Sequence, residues 1–227
     1  MKIKKNNGDL INGDYKNSKE AVIHCLKNKI SLEEADLRGA DLSEIRFKGA
    51  NLRGVCLAGA NLRGANLIGV NLKGANLYGV TLKWAELEGA NLLGANLRDS
   101  DLTGANLEGA NLEVAELEGA NLRGVCLLGV NLRGANLLGV NLEGVELEGA
   151  NLEEAKMPMF AKYKISYQKI GFKIYITIGS EKKTIEEWDF WFNSSTEELK
   201  NCGRDTEDFR RIKAYYLAIK FYIEFLK

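Results

Sequence analysis

The sequence has almost none of the residues that most enzyme chemistry uses. Its 227 residues include one histidine, His24, and one proline, Pro158. A single imidazole excludes multi-histidine metal sites and most histidine-dependent acid–base catalysis. His24 is expected to cap or pack a short helix. Four cysteines, at 25, 56, 126 and 202, show no CxxC spacing, so neither a zinc knuckle nor a redox pair is indicated and reduced structural thiols are expected. The 31 basic and 31 acidic residues cancel, which removes any whole-molecule electrostatic case for nucleic acid or membrane surfaces. No apolar run approaches the length of a membrane span, and MKIKKNNGD lacks the apolar segment of a secretory leader. A cytoplasmic location is the expectation.

What is present is a period. From Ile30 to Met159 the chain repeats every five residues for 26 units without insertion or loss. The third position is Leu in 24 units, Phe47 and Met157 being the exceptions; the first is nearly always Ala or Val, and the fifth is Gly in 19. A helix needs apolar recurrence near 3.6 and a strand near 2, so a strict five fits neither continued indefinitely. The chain must bend in every unit. First and third positions then point inward from a short extended segment, and Gly takes the corner. Four sides close a square coil of twenty residues, and coils stacked ~4.8 Å apart make a column about 30 Å long.

Units such as ADLRG at 35–39, ANLRG at 50–54 and ANLEG at 105–109 resemble those of the pentapeptide-repeat family. The resemblance implies a right-handed quadrilateral parallel β-helix with the Leu and Ala positions inside. Some members of that family are DNA mimics that bind DNA gyrase. Those that protect against quinolones usually interrupt their coils with projecting loops, and this array has none.

Three segments follow: an N-terminal cap at 1–29, the β-helix at 30–159 and a C-terminal α+β module at 160–227. In the cap, residues 18–29 read as an amphipathic helix with Ser18 as N-cap and Val22, Cys25 and Leu26 facing the first coil. Residues 3–15 carry two Asn-Gly turn signals and are expected to form short strands. After Pro158 the composition changes abruptly. Segments 162–167 and 172–178 alternate as two strands of a hairpin, and Thr184 with Glu187 forms a capping-box pattern opening a helix. A last helix, opened by Asp205 or Thr206, carries an apolar stripe of Phe209, Ile212, Tyr216, Ile219 and Ile223. That stripe must be buried either against the module or against a second copy of the chain, which makes it the candidate dimerisation surface. The lead-in GDYKNSKEAV (13–22) and the tail IGSEKKTIEEWDFWF (178–192) are similar to segments flanking pentapeptide arrays in proteins carried by bacteriophages, which implies a phage origin and a host-directed role.

Residues 35–154 hold 16 acidic and 10 basic residues, a net −6 balanced by basic flanking segments. Lys and Arg gather in the early coils and acidic residues follow from Glu86. Residues twenty apart stack, so Glu86, Glu88 and Glu108 form an acidic stripe continued at Glu146 and Glu148, a surface suited to a basic groove. Repeat surfaces also carry charge simply for solubility. Trp84 replaces a corner Gly and Tyr78 stands at an outward fourth position, two large aromatics of the kind that anchor interfaces; local corner packing is the alternative for Trp84. The partner-binding candidates are therefore Tyr78, Trp84, Glu86, Glu88, Glu108, Glu116 and Glu118. An unbroken Asn ladder at 51, 71, 91, 111, 131 and 151 reads as structural.

No nucleophile has a base and an orienter, and no Gly-rich loop leads a strand into a helix, so no catalytic residue, metal or cofactor is assigned. The expected function is a non-catalytic solenoid that binds a host protein, with no direct binding of nucleic acid or membrane. Two alternatives stand beside it: a DNA-mimic inhibitor of gyrase, and a protein that sequesters a small anionic ligand near the lysine-rich stretch from Lys162 to Lys183 or at a dimer seam.

Overall fold

The chain bends at every fifth residue because each unit closes a β-turn. The amide of Ala40 donates to the carbonyl of Leu37 at 3.1 Å, and the same step recurs through the array. Gly39, third residue of that turn, has φ +62°. A negative φ followed by a positive one is the signature of a type II turn, which favours Gly at its third residue because a Cβ there crowds the backbone.

In the computed structural model the described residues are 2–4, 10–12, 15–142, 145, 149–152, 154–156, 165–170, 173–178, 181–193 and 216. They fall into two compact units, residues 1–156 and 157–227.

In the first unit, parallel bridges link second-position residues to those twenty later, from Asp36↔Cys56 to Asn136↔Lys156. Four turns per twenty-residue step make a four-sided β-helix. Coils are joined by three backbone bonds per five-residue unit. The second-position amide donates to the preceding coil (Asn61 to Ala40 O, 2.9 Å), while third- and fifth-position amides donate to the following one (Leu62 to Thr81 O, 2.7 Å; Gly64 to Lys83 O, 2.8 Å).

The first and third positions form the core. Ala, Val and Leu there are nearly all under 6% exposed, and Phe47 is fully buried. Each Leu contributes about 1.5–3 kcal/mol by burial, and the small first-position residues leave room for it. Ser100 breaks the apolar rule, yet its hydroxyl donates to Leu97 O at 2.6 Å, so the buried oxygen is satisfied.

Ahead of the coils, β1 (Lys2–Lys4) and β2 (Leu10–Asn12) pair antiparallel with Ile3 opposite Ile11. Helix α1 (Ser18–Lys27) follows, and its N-cap is Asn17 rather than Ser18. The Asn17 side chain accepts from Glu20 N at 2.8 Å, and the Glu20 carboxylate accepts from Lys16 N at 2.6 Å. Asn17 can do this because it is the last extended residue, whereas Ser18 already lies in the first turn. Ala21, Val22 and Cys25 are buried, Leu26 only in part, and Lys19 Nζ donates to Ser43 O in the first coil. The ring of His24 packs on Tyr15 at 5.3 Å between centroids.

The second unit holds a three-stranded antiparallel meander: β3 (Ile165–Ile170), β4 (Lys173–Ile178) and β5 (Glu181–Thr184). The hairpin expected from alternation starts three residues later on its first strand, and β5 was not expected. Thr184 and Glu187 exchange bonds at 2.7 and 3.3 Å to open α2 (Ile185–Asn193). Of the expected final helix only Tyr216 lies among the described residues; it is helical and fully buried.

Candidate protein-binding surface

The corner residues show where the outer surface departs from what stacking demands. Most left-handed corners are Gly, but Glu34, Glu44, Trp84, Asp99, Val114 and Glu154 occupy the same conformation. A side chain in the left-handed region costs roughly 1–2 kcal/mol, and for a bulky or β-branched residue it is a true outlier. Four of the six are acidic. The other two, Trp84 and Val114, are apolar and remain 60% and 53% exposed. At Trp84 the benzo edge of the indole, atoms Cε3, Cζ3 and Cη2, occupies the space a Cβ on Gly104 would need, one coil further along the same edge. Sequence reading singled out Trp84 but passed over Val114, which the same signal, a non-Gly fifth position, marks.

A second departure brackets Trp84. Of the five backbone amides in a unit, four donate to backbone carbonyls, and the fourth-position amide donates instead to the Oδ1 of the second-position Asn or Asp. Arg63 to Asn61 (3.1 Å), Arg98 to Asn96 (3.2 Å) and Glu108 to Asn106 (3.0 Å) are examples. This Asx-type bond explains why Asn and Asp dominate the second position. The Ser31 hydroxyl accepts the Glu33 amide at 3.2 Å in the same way, whereas between residues 35 and 142 Arg46, Cys56, Thr81, Glu86, Glu116 and Cys126 stand there instead and supply no such acceptor. Thr81 and Glu86 belong to successive units, one on each side of the Trp84 corner.

Residues twenty apart share a face, so the candidate residues divide. Glu86, Glu88 and Glu108 lie on the third face, counting from the one that bears Asp36, and Trp84 stands on the edge where that face begins. Tyr78, Glu116 and Glu118 lie on the first face, opposite. The column therefore does not bring the seven candidates into one patch. Asn66 Nδ2 donates to Glu86 at 2.6 Å and Asn106 Nδ2 to Glu88 at 2.7 Å, which holds both carboxylates along the face. On the first face Asn136 donates to Glu116 at 2.9 Å, and Glu118 pairs with Arg98 at 3.3 Å. Tyr78 is 48% exposed. Upstream on the third face stand Arg46 and Lys48, and downstream Cys126 and Leu128 interrupt the stripe before Glu146 and Glu148, which lie outside the described residues.

The second face carries the opposite charge next to Trp84. Lys83 bridges to Asp101 at 2.9 Å. Burial pushes the Asp101 carboxyl up, but hydrogen bonds from Thr103 and Lys83 more than offset it and leave it below its ordinary value. Asp41 is likewise held low, chiefly by the backbone amide of Ser43.

On the fourth face the Asn ladder is knitted by side-chain amides: Asn71 to Asn51 (3.0 Å), Asn91 to Asn71 (3.4 Å), Asn131 to Asn111 (3.2 Å) and Asn151 to Asn131 (3.4 Å). The step from Asn91 to Asn111 carries no such bond, so the ladder runs in two stretches. Cys56 and Cys126 are free and lie on opposed faces.

In the second unit, Tyr216 packs against Trp188 and its hydroxyl lies 2.8 Å from Ile185 O and 2.9 Å from Asp189 Oδ1. Its side chain is thus engaged within the unit. Phe209, Ile212, Ile219 and Ile223 lie outside the described residues, as does Lys162. Lys183 stands over the Trp188 ring at 5.1 Å. Among the described residues no cluster of His, Cys, Asp or Glu is placed to hold a metal ion, and no helix is long and apolar enough to cross a membrane.

Set against known proteins, the chain matches the family pattern described as pentapeptide repeats in 8 copies, over residues 30–67, 45–83, 56–94, 82–118, 90–128 and 115–154. No curated protein matches it in sequence. Among solved structures it is similar to HetL, a pentapeptide repeat protein involved in heterocyst differentiation regulation from the cyanobacterium Nostoc sp. strain PCC 7120. Identity there is 37% over 55% of this chain and 61% of HetL, with a TM-score of 0.37. It thus spans less than two thirds of HetL. It is also similar to Rfr23, a pentapeptide repeat protein from the cyanobacterium Cyanothece 51142 (30% identity, 60% of this chain and 96% of that one, TM-score 0.36). A third likeness is to QnrB1, a plasmid-mediated fluoroquinolone resistance protein (22% identity, 55% and 73%, TM-score 0.37).

Proposed function

Because the chain belongs to the pentapeptide-repeat family, whose column leaves its outer faces as the variable part, we propose that it is a non-catalytic binding protein that docks a protein partner on the edge carrying Trp84 and the adjoining face of Glu86, Glu88 and Glu108. The observation that carries this reading is Trp84 itself. A 60%-exposed indole occupies a left-handed corner where Gly is the default, and the units on either side both give up the Asx bond. Strain and exposed apolar surface kept together at one place favour a binding role. The neighbouring carboxylates suit a partner with a basic surface. A phage-borne protein acting on a host protein is the setting that the flanking segments favour.

Immobilised protein exposed to lysate of the natural host tests the reading. The wild type and a first-face variant (Tyr78→Ala, Glu116→Lys, Glu118→Lys) should retain a protein that the edge variant (Trp84→Gly, Glu86→Lys, Glu88→Lys, Glu108→Lys) loses. Equal capture by all three, or loss only with the first-face set, would sink it.

Gyrase inhibition by DNA mimicry is the second reading, favoured by the three carboxylates in successive coils of one face. The basic residues ahead of them and the break at Cys126 and Leu128 make that stripe shorter than a duplex mimic needs. A supercoiling assay with purified protein decides it: no inhibition at micromolar concentration removes the reading.

A further inference from the structure

Trp84 does not merely stand at a corner; it rests on the next one. We infer that Gly104 is a positioning residue for Trp84, a seat that fixes the direction of the indole, and this rests on the reading of Trp84 as the docking anchor.

The left-handed corner sends its side chain along the column toward the following coil. A Cβ built on Gly54 would lie 3.2 Å from Glu34 Cγ, one on Gly64 3.5 Å from Glu44 Cγ, one on Gly119 2.5 Å from Asp99 Oδ1, and one on Gly134 3.1 Å from Val114 Cγ1. At glycines that follow a glycine, such as Gly89 and Gly124, nothing comes within 4 Å, or only backbone does, as at Gly139. Each non-Gly corner from 34 to 114 thus lies on a glycine twenty residues later. The overlap is deepest at Gly104, where the space is filled by indole. An anchor held against a rigid shelf has lost its rotamer freedom before a partner arrives, so less is lost on binding. Gly104 therefore carries two demands, a φ of +66° and an absent side chain, and only the second concerns Trp84.

These demands separate by comparison with Gly124, on the same edge at φ +63° with nothing within 4 Å. In protein labelled with 5-fluorotryptophan, three fluorine resonances are expected from Trp84, Trp188 and Trp191, and the Trp84 signal is identified by its loss in Trp84→Gly. Gly104→Ala should shift and narrow that signal and melt at a lower temperature than Gly124→Ala, which should leave the signal in place. The double variant Trp84→Gly/Gly104→Ala should melt like Gly124→Ala. An unmoved Trp84 signal in Gly104→Ala would overturn the inference. So would a double variant that stays as unstable as Gly104→Ala, including the case where Gly104→Ala does not fold and removing Trp84 fails to restore it. None of these readings involves a partner. A seated Trp84 whose removal loses no partner would refute the docking reading and leave the seat intact.

Discussion

At the scale of single residues, each position in the unit answers to one physical demand. Leu fills the interior, Ala or Val leaves it room, Gly takes the left-handed corner, and Asn or Asp supplies the acceptor that the fourth amide lacks. The first three demands were legible because burial and backbone sterics act on residue type directly. The Asx bond was not, since Asn at an outward position reads equally as a solvated surface or as a ladder. Ser100 shows how local the rules are. Its hydroxyl bonds within its own turn, so Ser100→Ala removes a satisfied donor and leaves the residue that the position usually holds. Its unfolding free energy by chemical denaturation should stay within about 1 kcal/mol of wild type. Ser100→Leu, which adds volume to a filled layer, should cost about 1–3 kcal/mol.

At the scale of elements, the faces differ in how their side chains knit the coils. Asn71 donates to Asn51, accepts from Asn91 and accepts the Lys73 amide, whereas Asn96 holds only the Arg98 amide. Both are second-position Asn residues. Asn71→Ala should therefore destabilise by about 1 kcal/mol more than Asn96→Ala, and equal losses would show that the ladder contributes nothing beyond the Asx bond. The opening of α1 was missed by one residue because Asn17 and Ser18 are both good caps and sequence alone does not say which is the last extended residue. The shift at β3 and the unexpected β5 have a similar cause. A run such as Glu181–Thr184 carries no apolar alternation, and its strand pairing is set by β4 beside it.

At the scale of the whole molecule, stacking made the four faces assignable by steps of twenty, so the charge of each face could be read in advance. The same steps place Trp84 and Glu118 on different sides of one column, so residues grouped by their stretch of chain do not form one patch. Charge also sets the response to acid. Asp41 and Asp101 have folded-state pKa values below their ordinary ones, so their stabilising contribution is complete above about pH 4 and is lost as pH falls through the lowered values. Melting temperature followed between pH 7 and pH 2 should fall on the acid side of that range, and less steeply for Asp101→Asn; an identical profile for the variant would contradict this assignment.

The central claim is that a bend in every unit stacks the chain so that four of a unit's five backbone amides find a backbone acceptor. The fourth-position amide is accepted only where a short polar side chain, Asn or Asp in nearly every case, stands at the second position. Residue-resolved hydrogen exchange by NMR measures this directly. Second- and third-position amides of the middle coils should exchange slowest, and the fourth-position amides of Arg63, Arg98 and Glu108 should be protected while those of Lys83, Glu88 and Glu118 exchange freely. Uniform rates at all fourth positions, together with rapid exchange of the leucine amides between 72 and 107, would contradict it.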